Sequence, residues 1–570
     1  MSKEKIEKKI KEEIELDPVT ADTIAKEFKE HSVAEFFKKN KQMLGLYGKV
    51  RTLTTIIHEY VSNSLDACEE ANILPEIEVK LDELGEEYYE ATVKDNGPGL
   101  TEETVGKAFG QLLAGTKFHR MMQARGQQGI GASGCTMLSQ STTGKATKVI
   151  TGKGDGKVIS LELTIDPKMN QAKITNFKKV DKEYRGTAVQ AKFKGVIYKD
   201  TQGGVLEYLR RTAIANPHAQ IKFRDPKGQT VLFKRTLTHI PKKPKEMKPH
   251  PLGTTVDDLV TMSKYTESRK AGSFLKNEFD RVGDTSLQKI QNMIRFDLNK
   301  DPHQLSWEEC EQLIQAFKKV DFIAPSTEGL SPIGEDRIKK SLESIVKPEF
   351  VVTLTRKPKI YAGGYSFQIE VGLAYGGNAG ERTSSNPEDV KVELMRYANR
   401  APLLFDGGSC AITKAIQSVE WKRYGVRDLD SAPLAVFINF ISVHVPYTGA
   451  GKQAITDEEE IMEELRLSLM DCGRRMGIYL GAKRREHDRK MKQEMFYKYI
   501  PEIATALSSV TKEKKETLIT KLEKLVKDKL GLEKLEAKIK SKQVGKEEQE
   551  KADDEIGKAV VVEDEGSGDE

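Results

Sequence analysis

The first 235 residues alternate between helical and strand patterns of apolar and polar positions. The run SVAEFFKKNKQML predicts a helix whose first turn is closed by a capping box of Ser32 and Glu35. Residues 51–71 carry the next strong helical pattern. The segment PEIEVKLDELGEEYYEATVKD alternates on both sides of a glycine turn, which predicts a hairpin, and KVISLELTI, GTAVQAKFKG and AQIKFRD predict further strands. Because hairpins replace regular βαβ spacing, this region is expected to be an α+β sandwich ending near Arg235.

The pattern changes after a Lys- and Pro-rich segment, HIPKKPKEMKPHPLG, which cannot form a core element. Residues 252–322 then carry four helical patterns joined by short turns, followed by the linker-like run FIAPSTEGLSPIGE. Strand patterns return in PEFVVTLTRKPKIY, YSFQIEVGLAYGG and PLAVFINFISVHV, and a long helical run extends from Asp457 past Lys490. These changes predict five segments: an N-terminal arm (1–30), the α+β domain (31–235), a small helical domain (236–329), a second α/β domain (330–505) and a charged, partly disordered tail (506–570).

The composition narrows the class of protein without revealing its activity. Of the 570 residues, 38% are hydrophobic and 31% are charged, which is typical of a soluble globular chain. No apolar run reaches the length of about 20 residues that a membrane helix needs, so no membrane partner is expected. Five scattered cysteines without a CxxC pair indicate reduced thiols, a cytoplasmic location and no zinc site. A net charge of +5 neither requires nor excludes nucleic acid.

The first candidate chemistry lies on the helix HEYVSNSLDACEEA. Glu59, Asn63 and Asp66 are spaced by four and then three residues, so they share one helical face. If that face is buried, its carboxylate and amide need a polar partner. A solvated helix surface is the alternative.

The second candidate is the turn DNGPG at the end of a predicted strand. Asp95 ends the strand, and Gly97 and Gly99 allow close backbone approach or a positive φ. The Asp95 carboxylate can accept a hydrogen bond from the exocyclic amine of a base. An ordinary Asp-Asn-Gly turn is the alternative.

The third candidate is a glycine-rich run that includes Gly126, Gly129, Gly131 and Gly134, followed by a helical pattern. Free N–H groups in such a loop, together with a helix N-terminus, form an anion site. Thr116 and Lys117, which lie upstream, could add a hydroxyl and a cation. The run matches neither a P-loop nor a Rossmann turn, and a purely structural loop is the alternative.

Together and in this order, the three motifs resemble those of the GHKL ATPase superfamily. ExxxNSxDA corresponds to residues 59–67, DxGxG to residues 95–99 and the glycine lid to residues 125–134. The resemblance implies ATP and Mg²⁺ as cofactors, with Asn63 as the metal ligand, Glu59 as the group that activates water and Asp95 holding the adenine. Asp66 would be a supporting residue, and Thr187 would lie behind Asp95. The lid residues implied to wrap the phosphates are Gly126, Gln127, Gln128, Gly129, Ile130, Gly131, Ala132 and Ser133.

Four further segments resemble the B subunits of DNA topoisomerase VI: SVAEFFKKNKQMLG, FGQLLAGTKFHRMMQARGQQGIG, RYANRAPLLFD and WKRYG. The likeness extends to about residue 500. It implies a GHKL (Bergerat) ATPase sandwich, a helix-two-turns-helix domain and an α/β transducer domain with a long C-terminal helix. Lys422 of WKRYG would be the transducer lysine that reaches the γ-phosphate of ATP. A solvated lysine in a Lys-Arg pair is the alternative.

For function, the resemblance implies the ATP-hydrolysing subunit of a type IIB DNA topoisomerase. Two copies would dimerise through their ATPase domains when ATP binds, and with two A subunits they would form a heterotetramer. The A subunit would cut one DNA duplex so that a second could pass, relaxing and decatenating DNA in the cytoplasm, at the nucleoid. The rival is a GHKL clamp of the MutL or chaperone type without strand passage, which the WKRYG segment and the helical insert disfavour. A non-hydrolysing scaffold is disfavoured by the presence of Glu59 and Asn63.

Overall fold

The structure is a computed structural model. The residues that it describes are 32–115, 120–126, 129–383, 386–449 and 451–530. Two compact units divide the chain, Met1–Met476 and Gly477–Glu570. None of the helices in the described ranges has both the length and the apolar content needed to cross a bilayer.

An eight-stranded sheet forms the first half of the larger unit, in the order β5-β4-β3-β6-β2-β1-β7-β8. Its neighbouring strands are antiparallel except for β1 and β7, which are parallel. The strands are β1 (Glu76–Gly85), β2 (Tyr88–Lys94), β3 (Thr147–Lys153), β4 (Lys157–Asp166), β5 (Gln171–Asp181), β6 (Arg185–Lys194), β7 (Gln220–Arg224) and β8 (Thr230–Phe233). The predicted hairpin is confirmed as β1 and β2, whereas β3, β5 and β8 were not predicted.

Helices cover this sheet and share its hydrophobic core. They are α2 (Lys49–Glu70), α3 (Glu102–Gly110), α4 (Gly131–Thr143) and α5 (Val205–Ala215), while α1 (Val33–Lys39) packs against α4 in a separate small cluster. The predicted capping box begins α1, because the Glu35 N–H donates to Ser32 Oγ over 3.1 Å and the Ser32 N–H donates to the Glu35 carboxylate over 3.3 Å. The long helix α2 confirms the predicted helix over residues 51–71 to within two residues.

A small helical core follows, formed by α6 (Val256–Tyr265), α7 (Ala271–Glu278), α8 (Asp284–Gln291) and α9 (Trp307–Phe317). Phe279 lies at its centre and contacts the rings of Phe274 and Phe317 at centroid distances of 5.8 and 5.9 Å. The four helical patterns predicted for this region are therefore confirmed.

The second sheet has six strands, in the order β10-β11-β16-β14-β15, with β9 also pairing with β11. Nearly every residue of β11 and every residue of β16 is buried, which explains their continuous apolar runs. The strands are β9 (Phe350–Thr355), β10 (Lys359–Tyr361), β11 (Tyr365–Tyr375), β14 (Glu393–Ala398), β15 (Ala401–Pro402) and β16 (Leu434–Ser442), while β12 (Glu381–Thr383) and β13 (Asn386–Lys391) form a separate ribbon. Helix α10 (Glu335–Ile345) packs on β9 and β11, and α11 (Ala411–Ser418) follows β15.

The predicted long C-terminal helix is confirmed as α12 (Glu459–Thr511), which begins in the larger unit and ends in the smaller one. It continues through Pro501, and α13 (Lys515–Leu530) follows it. The arm predicted over 1–30 and the end of the tail, residues 531–570, lie outside the described residues.

Candidate nucleotide site

A cavity of about 590 Å³ opens beside α2 at the ends of β2 and β6 and beside the start of α4. It brings together residues of all three motifs found in the sequence. The sequence-predicted residues that line it are Glu59, Asn63, Asp95, Gly99, Gly126, Gly129, Ile130, Gly131, Ala132, Gly134 and Thr187. Thr116, Lys117, Gln127 and Gln128 lie outside the described residues.

Two other predicted residues stand behind the lining. The Gly97 N–H donates to Asp95 Oδ1 over 2.9 Å, and the buried Ser133 hydroxyl donates to the Ile130 carbonyl over 3.4 Å. Gly97 therefore supports the aspartate, and Ser133 stabilises the first turn of α4.

The face of α2 that lines the cavity repeats at helical spacing. Glu59, Asn63 and Ala67 follow one another at intervals of four residues, and Glu70 lies three residues further on. The opposite face buries Ile56, Val61 and Leu65 in the core. Apolar packing thus fixes the helix, and its part-exposed Glu59 and exposed Asn63 are presented to the cavity, where a ligand can bind them.

Asp95 is buried, with 8% of its surface exposed, and is held by three donors. Oδ1 accepts the N–H groups of Gly97 and Thr187 over 2.9 and 3.0 Å, and Oδ2 accepts the Ser64 hydroxyl over 2.9 Å. Burial raises the pKa of Asp95, although these three hydrogen bonds oppose the shift. Each carboxylate oxygen can accept about two hydrogen bonds, so Oδ2 keeps capacity for a ligand amine.

The turn after Asp95 requires glycine at Gly99. Its φ is +75°, and a Cβ there would lie 2.2 Å from the Gly152 carbonyl oxygen on β3. This close approach packs the turn against the sheet, so backbone packing and the three hydrogen bonds to its carboxylate together position Asp95.

Glu59 lies at the N-terminus of α4, where Gly131 is the first helical residue. A Cβ on Gly131 would lie 1.8 Å from Glu59 Oε2 and 2.5 Å from Cδ. The carboxylate therefore rests directly on the Gly131 backbone, and the positive end of the helix stabilises its charge.

The Asn63 amide lies next to the first lid glycine, since a Cβ on Gly126 would be 3.9 Å from Asn63 Oδ1. Within the described ranges, no cluster of three His, Cys, Asp or Glu side chains could hold a metal on its own. This arrangement fits Mg²⁺, which uses one or two protein oxygens and takes the rest of its ligands from phosphates and water.

Lys422 does not line the cavity, which corrects its predicted position. It is exposed in a short turn, Trp421–Tyr424, that Trp421 anchors by donating from Nε1 to the Ile416 carbonyl over 2.8 Å. The cavity is lined instead by Gly451, Lys452 and Gln453, from the loop between β16 and α12. The sequence carries only a weak signal for this lysine, its place in a glycine-containing run, GAGKQ, shortly before the long helix.

Sequence reasoning also gave no role to Ser64 and His58, which both line the cavity. Ser64 is the serine of the NSxDA motif, and its bond to Asp95 joins two of the three motifs. Burial lowers the pKa of His58; the Glu59 carboxylate opposes this shift and Lys452 adds to it. A neutral imidazole would not contribute a positive charge for phosphates, so Lys452 is the better candidate for that role.

Asp66 does not line the cavity and pairs with Arg125, the first residue of the lid. Arg125 Nη1 lies 2.6 Å from Asp66 Oδ1, and both side chains are buried. Asp66 therefore does not share the cavity face with Glu59 and Asn63, and its supporting role stays a prediction.

Comparisons with known proteins agree with this layout. Residues 48–167 match the family model described as "Histidine kinase-, DNA gyrase B-, and HSP90-like ATPase", and residues 325–492 match "Topoisomerase VI B subunit, transducer". The chain is 45% identical over 566 residues to the B subunit of type 2 DNA topoisomerase 6 from Pyrococcus horikoshii, covering 91% of this chain and 98% of the relative. The chain belongs to the topoisomerase VI B-subunit family. Its identity to the relative from Pyrococcus abyssi is 46%, covering 89% of this chain and 96% of the relative, and to that from Methanothermobacter thermautotrophicus also 46%, covering 84% and 91%.

The family assignment confirms the resemblance read from the motifs and the order of ATPase and transducer regions. None of these matches supports the MutL or chaperone alternative. Membership of a GHKL family implies nucleotide binding.

Proposed function

We propose that the chain is the ATP-hydrolysing subunit of a type IIB DNA topoisomerase, in which ATP-driven dimerisation gates the passage of one duplex through a break made by an A subunit. The observation that carries the proposal is the composition of one cavity. The acid and amide of α2, the strand-end aspartate and the glycine lid share it with a lysine from the transducer. Nucleotide binding at this site would therefore be sensed by the transducer, the domain that would connect to the cutting subunit.

The first step is recognition of ATP. Asp95 would accept a hydrogen bond from the adenine amino group, because Ser64, Gly97 and Thr187 hold its carboxylate in place. The N–H groups at the start of α4 would bind the phosphates. Asn63 would supply an amide oxygen to Mg²⁺, and the bound ion would neutralise charge on the phosphates.

The second step is hydrolysis. Glu59 would orient the attacking water and accept its proton on a carboxylate oxygen. The contact between Glu59 and the Gly131 backbone would fix the carboxylate relative to the lid that binds the phosphates. The Glu59 carboxylate and the phosphates of ATP would therefore be positioned by the same backbone contact.

The third step links hydrolysis to movement. Lys452 would bind the terminal phosphate, so the transducer loop would favour the ATP state over the ADP state. A ligand shifts a conformational equilibrium only by such differential binding. Loss of the phosphate would release the loop and change the transducer position.

The partners proposed are the A subunit in a heterotetramer of two A and two B subunits, duplex DNA, and a second copy of this chain bound through the ATPase domain. The test is relaxation of supercoiled plasmid by the purified chain mixed with a cognate A subunit, ATP and Mg²⁺. Relaxation that requires both subunits and ATP is expected. A well-folded mixture that remains inactive would contradict the proposal, and the same mixture made with Glu59→Gln is the matched control.

Asp95→Asn is expected to weaken ATP binding because the amide presents an N–H₂ group where the carboxylate accepts. A hydrogen bond to a charged group contributes about 2 kcal/mol, so the Kd for a non-hydrolysable ATP analogue should rise by about 30-fold. Titration calorimetry measures this. Glu90→Gln, on β2 away from the cavity, is the control and should bind normally.

Lys452→Met is expected to lower ATP turnover and ATP-dependent dimerisation by about tenfold or more, because a charge-assisted contact to the phosphate is lost. Lys422→Met should leave both within about twofold of the unmodified chain, since an exposed lysine outside the cavity makes no such contact. Turnover is measured by phosphate release and dimerisation by sedimentation. The reverse ranking would restore Lys422 to the role first predicted for it.

A further inference from the structure

The segment that leads into the first lid glycine, residues 120–125, is here called the lid root. Two of its residues, Met121 and Gln123, make three hydrogen bonds to other parts of the larger unit. Met121 O accepts the Met247 N–H over 2.9 Å, and the Gln123 N–H donates to Gly329 O over 3.0 Å. Gln123 Oε1 accepts the Ser331 N–H over 2.6 Å. The lid root is therefore fixed from the segments on either side of the helical core.

The transducer also reaches the lid root. Asn399, in the turn between β14 and β15, donates from Nδ2 to the Ala124 carbonyl over 3.0 Å. The next residue of this turn, Arg400, donates from Nη2 to Glu69 Oε2 over 2.9 Å.

Glu69 is shared between the transducer and the lid root. Arg125 Nη2 lies 2.6 Å from Glu69 Oε1, and Arg125 Nη1 pairs with Asp66. Both carboxylates belong to α2, the helix that carries Glu59 and Asn63. One carboxylate thus connects the lid root, the helix with the proposed water-activating group, and the transducer.

Arg400 occupies an unfavourable backbone conformation. Tyr397 pairs with Pro402 and Ala398 with Ala401, so Asn399 and Arg400 form a two-residue hairpin turn. Their φ angles are +49° and +67°. Asn-Gly is the common sequence for such a turn, and glycine would suit position 400 better than arginine.

The Arg400 side chain is also incompletely satisfied. It is 5% exposed, and its Nε and Nη1 atoms have no hydrogen-bond partner among the described residues. Strained backbone and unpaired buried donors persist where the surrounding structure holds them for another purpose. An ordinary stabilising ion pair would not require both features.

The charges of this cluster favour the ionised form of Glu69. Burial alone would raise the pKa of Glu69, but Arg125, Arg400 and His218 together lower it well below the usual value. Without Arg400, Glu69 keeps Arg125 and His218 as partners. Loss of the Arg400 side chain would therefore remove the link between Glu69 and the transducer, and leave the rest of the cluster and the Asn399–Ala124 hydrogen bond in place.

We infer that Arg400 is a positioning residue for ATP hydrolysis: through Glu69 it holds the Arg125 lid root and helix α2 in register when the transducer is in place. This inference rests on the proposed function. The proposed role of Arg400 differs from that of Lys452. Arg400 acts on the lid through Glu69 and Arg125 and does not line the nucleotide cavity.

The test compares Arg400→Gly with Arg210→Met. Glycine relieves the positive φ, so Arg400→Gly should fold. Arg210 makes another ion pair to the transducer, 2.6 Å from Glu393 Oε1, and its ion pairs in the described ranges do not involve the lid root. We expect Arg400→Gly to lower kcat for ATP by about tenfold or more, as a misplaced catalytic group does. Arg210→Met should change kcat by less than about twofold, in line with a substitution away from the site, and Arg400→Lys, which keeps the charge, should recover part of the loss.

A second measurement is independent of turnover. Hydrogen exchange in the peptide spanning residues 120–135, recorded with a non-hydrolysable ATP analogue and Mg²⁺, should be faster in Arg400→Gly and unchanged in Arg210→Met. Unchanged exchange and unchanged kcat in Arg400→Gly would overturn the inference. Equal losses in both variants would also overturn it, because they would indicate general loosening of the transducer. If the unmodified chain does not hydrolyse ATP, the proposed function fails, and the exchange comparison still decides the role of Arg400.

Discussion

Glu59→Ala is expected to bind nucleotide normally and to lose ATP turnover by about 10²–10⁴-fold, the usual contribution of a positioned general base. The side chain reaches the cavity from α2 and rests on the first residue of α4, where it faces the proposed phosphate site. Its removal takes away the proton acceptor and leaves Asp95, Ser64 and Thr187 unchanged, and these residues would bind the adenine. Turnover is measured by phosphate release and affinity by calorimetry with a non-hydrolysable analogue.

Glu59→Gln is the matched variant, because it keeps the shape of the side chain and removes only its charge and basicity. It should be as inactive as the alanine variant. Normal turnover in either variant would remove Glu59 from the role proposed here, whereas loss of binding in both would indicate that the carboxylate mainly maintains the cavity.

Gly131→Ala is expected to lower turnover by about 10²-fold or more, although it adds a single methyl group in a helix, where alanine is normally favourable. The new Cβ would lie 1.8 Å from Glu59 Oε2, so the carboxylate or the start of α4 would have to move. The Glu59 carboxylate and the phosphate-binding N–H groups lie next to each other at this point. Either movement would therefore increase the distance between the carboxylate and the bound phosphates. Steady-state kinetics measures the loss, and a thermal unfolding curve shows whether the fold is kept.

Gly126→Ala is the comparison within the same lid. The nearest atom to a Cβ at Gly126 is Asn63 Oδ1 at 3.9 Å, an ordinary contact. Its effect should be clearly smaller than that of Gly131→Ala. Equal effects would mean that the lid is sensitive to any loss of glycine flexibility, and that the contact with Glu59 has no special importance.

Much of the fold was predictable because half-buried helices and strands have apolar residues at regular spacing in the sequence. Helix α2 and the hairpin of β1 and β2 each have one face in the core, so their apolar residues repeat at helical or strand spacing. Strand β5 leaves almost no such record. It is the outermost strand of its sheet and is exposed along nearly its whole length, so it is defined by hydrogen bonds to β4.

The candidate site was predictable where its residues are close in the chain. Glu59, Asn63 and Asp95 belong to short motifs whose spacing reflects one helix and one strand end. Lys452 carries no local pattern of this kind, since only packing of the second sheet brings its loop to the cavity. Lys422 was selected by resemblance alone, and an exposed turn cannot be distinguished from a phosphate-binding one before the packing is known.

The loop that carries Lys452 is held together at its base by backbone contacts. An isolated bridge joins Tyr447 to Ile455, and the Thr456 N–H donates to the Pro446 carbonyl over 2.8 Å. The loop is therefore closed at its base, and only a short connection separates it from the start of α12 at Glu459. A movement of Lys452 would therefore displace the first turn of that helix. The presence or absence of one phosphoryl group would in this way be converted into mechanical work.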